Sequence, residues 1–227
     1  INVAKNMVAR QFQFAASLLN VYEKLAGKPF RKLKPSKRWY EHPIYYLGNH
    51  LNFVSDGDTV SIPAYSQELD YELEIGIIIC KPLKNATVDE AEQAIGGFVV
   101  FNDFSARDVQ MDEMDTGFGP MKAKNFINAI SNVVVTADEI LPIVNSLTVA
   151  VTINGKKIAR NTSAGMHFSI PQAIAYASWE EQLHAGEFFG SGTIPHCTGM
   201  ENGVFLHSND SILLEIEGIG SLYNKVE

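Results

Sequence analysis

The chain has 227 residues, of which 46% are hydrophobic and 19% are charged, and its formal net charge is −8. This length is enough to bury a sizeable core, and the composition argues against a disordered chain. The negative net charge gives no general electrostatic support for binding nucleic acid, so we expect no nucleic-acid partner.

The two cysteines, Cys80 and Cys197, are too few for a disulfide framework or a cysteine-based zinc site, and Cys80 is predicted to be a packed core residue. No apolar run reaches membrane-spanning length, and the first residues lack the charged-then-apolar order of a signal peptide. We therefore expect a cytoplasmic protein that does not associate with a membrane.

The N-terminal part, residues 1–42, is predicted to be a helix followed by a basic connector. Apolar residues recur at helical spacing over Val8–Leu25, and Gly27 is a suitable stop. Residues 24–38 then carry seven cations, interrupted by two prolines. We interpret this run as an exposed connector rather than an anion-binding site, because charge runs are usually solvated.

From Ile44 the sequence becomes rich in β-type residues, and Leu69–Cys80 is predicted to be one strand. Because side chains alternate along a strand, Asp70, Glu72 and Glu74 share one face, while the apolar residues between them share the other.

Glu72 and Glu74 then stand roughly 7 Å apart on a surface whose continuation is apolar. Two carboxylates at the rim of a buried strand repel each other and lose hydration unless a cation compensates them. A hard divalent metal ion would do so. The alternative is an amphipathic edge strand whose acids lie in water, and these residues alone do not distinguish the two.

The remaining elements follow without a repeating β-α-β order. Thr87–Glu90 has the spacing of a capping box for a helix ending at Gly96-Gly97, and Asn154-Gly155 is a strong hairpin signal. Further elements are a helix over Ile170–Trp179 and strands over Phe98–Phe101, Asn132–Thr136, Leu147–Ile153, Lys156–Arg160 and Ser211–Glu217. Strands dominate, so the predicted class is α+β with a mostly β core and few helices.

Polar residues gather where these elements end. Asp103 follows a buried strand, and Arg107 and Gln110 are three apart at the start of a helix, hence on one face. A carboxylate, a guanidinium and an amide together could hold a metal ion and the carboxylate of an acid substrate. Taken alone, Arg107 could equally form a structural ion pair, and Lys124 could be a solvated surface lysine. The glycine-lined turn Gly190–Pro195 could bind an oxyanion, but by itself it is a weak signal.

Five motifs occur in a distinctive order: Asp70-Tyr71-Glu72-Leu73-Glu74, Asn102–Gln110, Lys124-Asn125-Phe126, Gly190-Ser191-Gly192-Thr193 and Gly218-Ile219-Gly220. Their joint occurrence resembles the fumarylacetoacetate hydrolase family over residues 43–226. The resemblance implies a catalytic domain over residues 43–227 with a mixed β-roll fold. It also implies a homodimer and a site for Mg²⁺ or Mn²⁺, with Ca²⁺ as a further option.

The resemblance also assigns roles, position by position. It implies that three carboxylates hold the metal ion: Glu72, Glu74 and Asp103. It implies Lys124 as the catalytic lysine, and it implies substrate contacts for Arg107, Gln110, Gly192, Thr193 and Tyr46.

One element of the family pattern is missing. Longer members carry Asp-Phe-Tyr in their N-terminal part, followed one helical stretch later by a histidine that acts as general base, and shorter members supply a His-Glu pair from an N-terminal lid. Here the best matching stretch is Arg10–Phe14, and the histidine position falls near Leu18. Either the base lies elsewhere, with His50 as the nearest candidate, or the chemistry needs no such base.

The implied substrate is a small 2-oxo or 2,4-dioxo acid that chelates the metal ion, which then stabilises the enolate formed when a neighbouring C–C bond breaks. Hydrolysis of an acylpyruvate additionally needs a base to activate water, whereas decarboxylation of an oxaloacetate-like acid does not. We expect an acylpyruvate-type hydrolase or an oxaloacetate-type decarboxylase. The alternatives are an enol–keto isomerase and a non-catalytic metal- or ligand-binding member, against which the intact carboxylates and lysine argue.

Overall fold

The computed structural model describes residues 22–27 and 35–227. The chain divides into two compact units, Ile1–Ile44 and Tyr45–Glu227. We predicted a boundary two residues earlier, after residue 42.

In the smaller unit, residues 22–26 are helical and Lys37–Glu41 forms helix α1. Most of the predicted helix Val8–Leu25 lies outside the described residues, as do residues 28–34 of the predicted connector. The described end of the connector is exposed, in agreement with its charge, but it forms a helical turn rather than irregular chain.

The larger unit is built mainly of strands. In chain order these are β1 (Phe53–Ser55), β2 (Thr59–Val60), β3 (Leu69–Asp70), β4 (Leu73–Ile79), β5 (Ile95–Asn102), β6 (Ser105–Ala106), β7 (Asn128–Ile130), β8 (Val135–Thr136), β9 (Thr148–Ile153), β10 (Lys156–Thr162), β11 (Phe188–Gly190), β12 (Ser211–Ile216) and β13 (Gly220–Val226). Its helices are α2 (Val88–Gln93), α3 (Arg107–Asp115), α4 (Met121–Lys124), α5 (Ala137–Ile140), α6 (Ile170–Ala177) and α7 (Gly199–Asn202), with a 3₁₀ turn at Leu141–Ile143.

Two mixed sheets form the framework. The first has the order β1-β7-β5-β4-β11, with β8 also paired to β5, and the second has the order β10-β9-β12-β13-β2. Strands β1 and β7 pair in parallel, as do β13 and β2, while β4 and β5 are antiparallel. A separate two-stranded ribbon joins β3 to β6. Mixed sheets with few and short helices confirm the predicted α+β class.

The hydrophobic core joins the two sheets. Strand β5 contacts β12 and β13 of the second sheet, and residues of β4, β5, β9 and β12 belong to one buried cluster. Strand β4 is buried on both faces, as expected of a central strand with a nearly continuous apolar sequence. Any polar side chain at its end is therefore held next to the core.

Three local predictions need correction. The predicted strand Leu69–Cys80 is interrupted, because β3 ends at Asp70 and β4 begins at Leu73. Cys80 is exposed rather than packed in the core. The helix with the predicted capping box ends at Gln93, and Gly96-Gly97 lies inside β5. A Cβ at Gly97 would come within 2.6 Å of a backbone oxygen of β8, so glycine is needed there for strand packing.

Other local predictions are confirmed. The two reciprocal bonds of the capping box are present between Thr87 and Glu90. Asn154 and Gly155 have φ of +50° and +73°, as a tight hairpin between β9 and β10 requires. Among the described residues, no helix has the length and apolar character needed to cross a membrane.

Candidate active site

Glu72 lies at the interruption between β3 and β4, where the chain changes partners. Its backbone N–H donates to the side chain of Asn102 at 3.0 Å, and its carbonyl accepts from the N–H of Asp103 at 3.1 Å. Thr198 forms an isolated bridge with it from a distant segment. The end of β5 is thereby fixed beside Glu72, which brings Asp103 to the same point.

The carboxylates of Glu72, Glu74 and Asp103 converge. Each offers an oxygen atom that lies within 4.8 Å of the oxygens of the other two. Glu74 is 4% exposed and Asp103 is 3% exposed. The alternative of an edge strand with its acids in water is therefore wrong.

Lys124 is buried against this cluster. Its ammonium group donates to Glu72 Oε2 at 2.7 Å and to Asp103 Oδ2 at 2.8 Å. Since the residue is only 2% exposed, the alternative of a solvated lysine is wrong. One buried cation thus contacts two of the three convergent carboxylates.

Arg107 approaches Glu72 from the other side. Its Nη2 donates to Glu72 Oε1 and, at 3.0 Å, to Thr198 Oγ1. Its Nε donates to Asp70 Oδ2 and its Nη1 to Gln110 Oε1, each at 2.7 Å. Arg107 and Gln110 do share one face, as predicted. The guanidinium is buried and bonded to protein groups, as in the ion-pair alternative; the substrate contacts of both residues stay predictions.

Asp70 received no role from the sequence beyond sharing a face with the two glutamates. It is fully buried, and it accepts hydrogen bonds from the Thr198 hydroxyl at 2.8 Å and from the N–H groups of Gly199 and Met200 at 2.6 and 3.0 Å. These bonds fix Asp70, which in turn fixes Arg107. The period-two spacing to Glu72 was the only signal available, because its partners lie far along the chain.

The glycine-rich turn holds Glu74. The N–H of Gly192 donates to Glu74 Oε2 at 2.9 Å, and the Ser191 hydroxyl accepts from the N–H of Ile75 at 3.0 Å. A Cβ at Gly190 would lie 2.5 Å from Glu74 Oε2, so only glycine fits there. The oxyanion that this turn binds is Glu74 itself, and a substrate contact of Gly192 stays a prediction.

Two further side chains reach Asp103. The Tyr46 hydroxyl donates to Asp103 Oδ2 at 2.5 Å. Asn128, with its amide nitrogen turned towards the site, donates to Asp103 Oδ1 at 3.1 Å. Asn128 was not singled out from the sequence, where an asparagine at a strand start carries no specific signal. Tyr46 belongs to the cluster, whereas its contact with substrate stays a prediction.

Neighbouring charges separate the pKa values of the buried acids. Burial raises the pKa of Glu72, but the cations of Arg107 and Lys124 more than offset this and lower it to about 2. Burial, and then the Asp103 and Glu72 carboxylates, hold the pKa of Glu74 well above its usual range. Burial likewise raises the pKa of Asp103, against the opposing effect of Lys124.

The two hydrogen-bond donors at the centre of the cluster keep their protons. Burial alone would lower the pKa of Lys124, but Glu72 and Asp103 raise it above its usual value, so the amine is charged at neutral pH. Burial, and then the Asp103 carboxylate, raise the pKa of Tyr46. Its phenol therefore stays protonated near neutral pH, where it donates a hydrogen bond and does not act as a base.

The donor set fits a divalent cation. Four carboxylates, of which only Glu72 is partly exposed, face two buried cations, which leaves a net charge of −2 when all are ionised: Asp70, Glu72, Glu74 and Asp103 against Arg107 and Lys124. Oxygens around an octahedral Mg²⁺ stand about 3 Å apart at adjacent positions and about 4 Å apart at opposite ones. The three convergent oxygens lie within 4.8 Å of one another, so Glu72, Glu74 and Asp103 could hold Mg²⁺, Mn²⁺ or, with longer bonds, Ca²⁺.

No histidine is part of the cluster. All six histidines of the sequence fall within the described residues, and none of them hydrogen-bonds to Glu72, Glu74 or Asp103. His50 is exposed in the segment that follows Tyr46. Thr193 is partly buried in the turn beyond Gly192. Their roles, as base and as substrate contact, stay predictions.

Comparison with known proteins now identifies the family. The family model described as fumarylacetoacetate (FAA) hydrolase C-terminal matches residues 13–227. The chain belongs to the fumarylacetoacetate hydrolase family. The match begins 30 residues before the region in which the sequence motifs lie (43 against 13), so family membership extends beyond those motifs into the N-terminal part.

Relatives and solved structures agree with this membership. A Dictyostelium discoideum protein named fumarylacetoacetate hydrolase domain-containing protein 2 homolog is 33% identical over 82% of this chain and 64% of its own length. The human protein named oxaloacetate tautomerase FAHD1, mitochondrial, is 29% identical over 82% of this chain and 81% of its own. The chain thus spans less than two thirds of the first of these relatives.

A solved structure supports the fold. The fumarylacetoacetate hydrolase of Exiguobacterium antarcticum has a TM-score of 0.69 and 28% identity, over 78% of this chain and 63% of that one. Both the predicted family and its mixed β fold are therefore confirmed.

Proposed function

We propose that this protein is a divalent-metal-dependent enzyme that acts on small 2-oxo acids, and that it decarboxylates an oxaloacetate-type acid. Hydrolysis of acylpyruvates is the weaker option. The proposal rests on one observation: a charged, buried lysine contacts two of three convergent carboxylates, and no histidine hydrogen-bonds to them.

Decarboxylation requires that the negative charge of the forming enolate be stabilised, and it requires no base. The electron pair of the breaking C–C bond moves onto the keto oxygen of the substrate, and CO₂ leaves. A divalent ion held by Glu72, Glu74 and Asp103 supplies positive charge towards that oxygen when it is bound. Lys124 adds a second positive charge within about 3 Å of two of these carboxylates, Glu72 and Asp103. Burial makes this charge count for more than it would in water.

Lys124 is also the natural proton donor for the second half of the reaction. The enolate must take up a proton at carbon to become the 2-oxo acid product, and a protonated amine at the site can deliver it. Tyr46 keeps its proton beside Asp103, and its raised pKa makes it a weaker acid than an ordinary phenol, so Lys124 is the better donor. Hydrolysis of a 2,4-dioxo acid instead needs a group that takes a proton from water, and neither of these donors does so near neutral pH.

Enol–keto tautomerisation of the same acids is the second candidate. It passes through the same enolate, and it needs only a proton carrier at the site. Lys124 would deliver a proton to the enol carbon and take one back from the enol hydroxyl, so that the amine ends charged, and the printed name of the human relative is a tautomerase of oxaloacetate. The two reactions differ in whether CO₂ is lost, so one substrate distinguishes them.

An assay panel tests the proposal. Oxaloacetate, acylpyruvates and a 2-hydroxy-dienoic diacid are each incubated with the protein and Mg²⁺ or Mn²⁺, with and without chelator. We expect chelator-sensitive conversion of oxaloacetate, with pyruvate and CO₂ as products, and slow cleavage of acylpyruvates. Fast acylpyruvate cleavage would replace decarboxylation by hydrolysis, and chelator-insensitive turnover would contradict the metal requirement. The expected homodimer is tested separately by light scattering on the purified protein.

A further inference from the structure

Lys124 belongs to a short helix that has little stability of its own. Helix α4 is a single turn of four residues, and its N-cap position is Pro120, which provides no side-chain cap. A helix this short is not stable by itself, and its first backbone N–H groups need partners from elsewhere. The position of the Lys124 ammonium therefore depends on what holds α4.

Glu113 supplies these partners from helix α3. Its Oε1 accepts a hydrogen bond from the N–H of Lys122 at 2.7 Å, and its Oε2 accepts one from the N–H of Ala123 at 2.9 Å. Both oxygens of one carboxylate are thus used on the two backbone groups directly before Lys124. The Tyr65 hydroxyl adds a bond to the carbonyl of Lys122 at 3.1 Å.

The segment that joins the two helices gives little support of its own. Gly117 and Gly119 have φ of +82° and +95°, and Phe118 between them is 87% exposed. The hydrogen bonds from Thr116 and Gly117 run back only to the end of α3, to Glu113 and Met114. A connection of this kind permits α4 to move relative to α3 unless the carboxylate of Glu113 joins them.

The other end of α3 is fixed to the carboxylate cluster. Its first residue, Arg107, is bonded to Asp70 and to Glu72. Helix α3 therefore has one end at Glu72, while its last turns hold the backbone that carries Lys124. Helix α3 is thus a structural connection between the backbone that carries Lys124 and Glu72, the carboxylate with which Lys124 pairs.

We propose that Glu113 is a positioning residue that sets the location of the Lys124 ammonium relative to Glu72 and Asp103. The inference deepens the proposed function and rests on it, since the lysine is there the group that meets the substrate. Glu113 does not itself touch the three carboxylates. Its removal should release α4, expose Lys124 and reduce turnover, while the metal ligands remain in place.

The test uses Glu113→Ala and the conservative Glu113→Gln, which retains one acceptor oxygen. The control is Asp112→Ala, which removes an exposed acid from the preceding position of the same helix. One readout is the rate at which acetic anhydride modifies Lys124 in metal-free protein, followed by mass spectrometry, with the exposed Lys84, which lies outside α4, as internal reference. The other is kcat and KM for oxaloacetate with saturating Mg²⁺.

We expect Lys124 to be modified several-fold faster in Glu113→Ala than in wild type, with Asp112→Ala unchanged and Glu113→Gln between them. The kcat of Glu113→Ala should fall on the order of 10-fold, because small displacements of a reacting group have large effects on rate. KM should change little. If Glu113→Ala does not fold, Glu113→Gln carries the same comparison.

Two results would overturn the inference: unchanged modification of Lys124 in the Glu113 variants, or faster modification with a kcat equal to that of Asp112→Ala. A wild-type protein without activity on oxaloacetate would instead contradict the proposed function. In that case the modification rates, which need no substrate, still decide whether Glu113 positions the lysine.

Discussion

The ammonium group of the buried Lys124 lies 2.7 Å from Oε2 of Glu72, whose side chain is 12% exposed. When one partner is removed, the other keeps a second opposite charge, Asp103 for Lys124 and Arg107 for Glu72. The two losses nevertheless differ chemically. Under the proposed function, Lys124→Ala removes the positive charge beside the developing enolate, whereas Glu72→Ala removes one of the three proposed metal ligands.

We therefore expect Lys124→Ala to lower the kcat for oxaloacetate decarboxylation by a factor of about 10² to 10³, with no rescue by added metal. Glu72→Ala should also lose activity but recover part of it in excess Mg²⁺. Steady-state kinetics across a metal titration measures both. The exposed Lys84→Ala is the matched control and should behave as wild type. Rescue of Lys124→Ala by metal would contradict this division of roles.

Metal binding should stabilise the folded protein. The cluster carries uncompensated negative charge, so Mg²⁺ or Mn²⁺ should bind the folded state in preference to the unfolded one. At a free metal concentration 100 times Kd, the gain in free energy of unfolding is about 2.7 kcal/mol. Thermal melting with increasing Mg²⁺, and then with excess EDTA, measures it. A melting temperature indifferent to all three additions would count against a preformed site.

The stability of the metal-free protein should fall as pH rises. The pKa of Glu74 is raised in the folded state, so its contribution to stability is fully present below its unfolded pKa and is lost as pH rises through the folded one. Glu72 has the opposite sign: with a folded pKa of about 2, its contribution is lost only in acid, as pH falls from its unfolded pKa towards that value.

The stabilisation by metal should therefore grow with pH. Between about pH 5 and about pH 8 the increase in melting temperature on adding Mg²⁺ should become larger, because Glu74 is protonated in a smaller fraction of the molecules and the metal ion displaces fewer protons. In Glu74→Gln, which carries no such proton, the dependence should weaken together with metal affinity. A metal effect that is equal at both ends of this range would contradict the raised pKa.

Gly190→Ala should weaken metal binding although it replaces none of the proposed ligands. The added Cβ would meet Glu74 Oε2 at 2.5 Å and the ring of Phe101 at 2.9 Å, so the carboxylate must move. We expect at least a 10-fold rise in the Kd for Mn²⁺, by analogy with losses of outer-shell support around metal sites, which cost about 10- to 100-fold. Isothermal titration calorimetry provides the comparison. Gly48→Ala, where a Cβ meets nothing within 4 Å, is the control.

His50→Ala tests whether the general base has moved to a new position. Because His50 is exposed and no histidine bonds to the carboxylates, decarboxylation should be unchanged in this variant. Acylpyruvate hydrolysis should be slow in wild type and equally slow in the variant. A wild-type hydrolase activity that disappears in His50→Ala, with decarboxylation preserved, would identify His50 as the base. Fast hydrolysis that does not depend on His50 would show that our account of the missing base is wrong.

Local sequence patterns predicted several features that the structure contains. The alternation of Glu72 and Glu74 predicted neighbouring carboxylates, which do converge, and the capping box and the Asn154-Gly155 hairpin are present. These features involve residues only a few positions apart, where backbone geometry alone relates the side chains. The same reasoning missed the break between Asp70 and Leu73, because the break arises from partners that lie elsewhere in the chain.

By itself, the sequence determined the predominance of strands, the family motifs and the identity of the acids that gather at the site. Only the tertiary structure decided which cations and hydrogen-bond donors compensate the charges of these acids. Lys124 meets Glu72 across 52 positions, and Thr198 meets Asp70 across 128. No local pattern encodes such pairs, since they form where separate elements pack together. The pKa values of the site follow from the same packing, because burial and the nearest opposite charge set them.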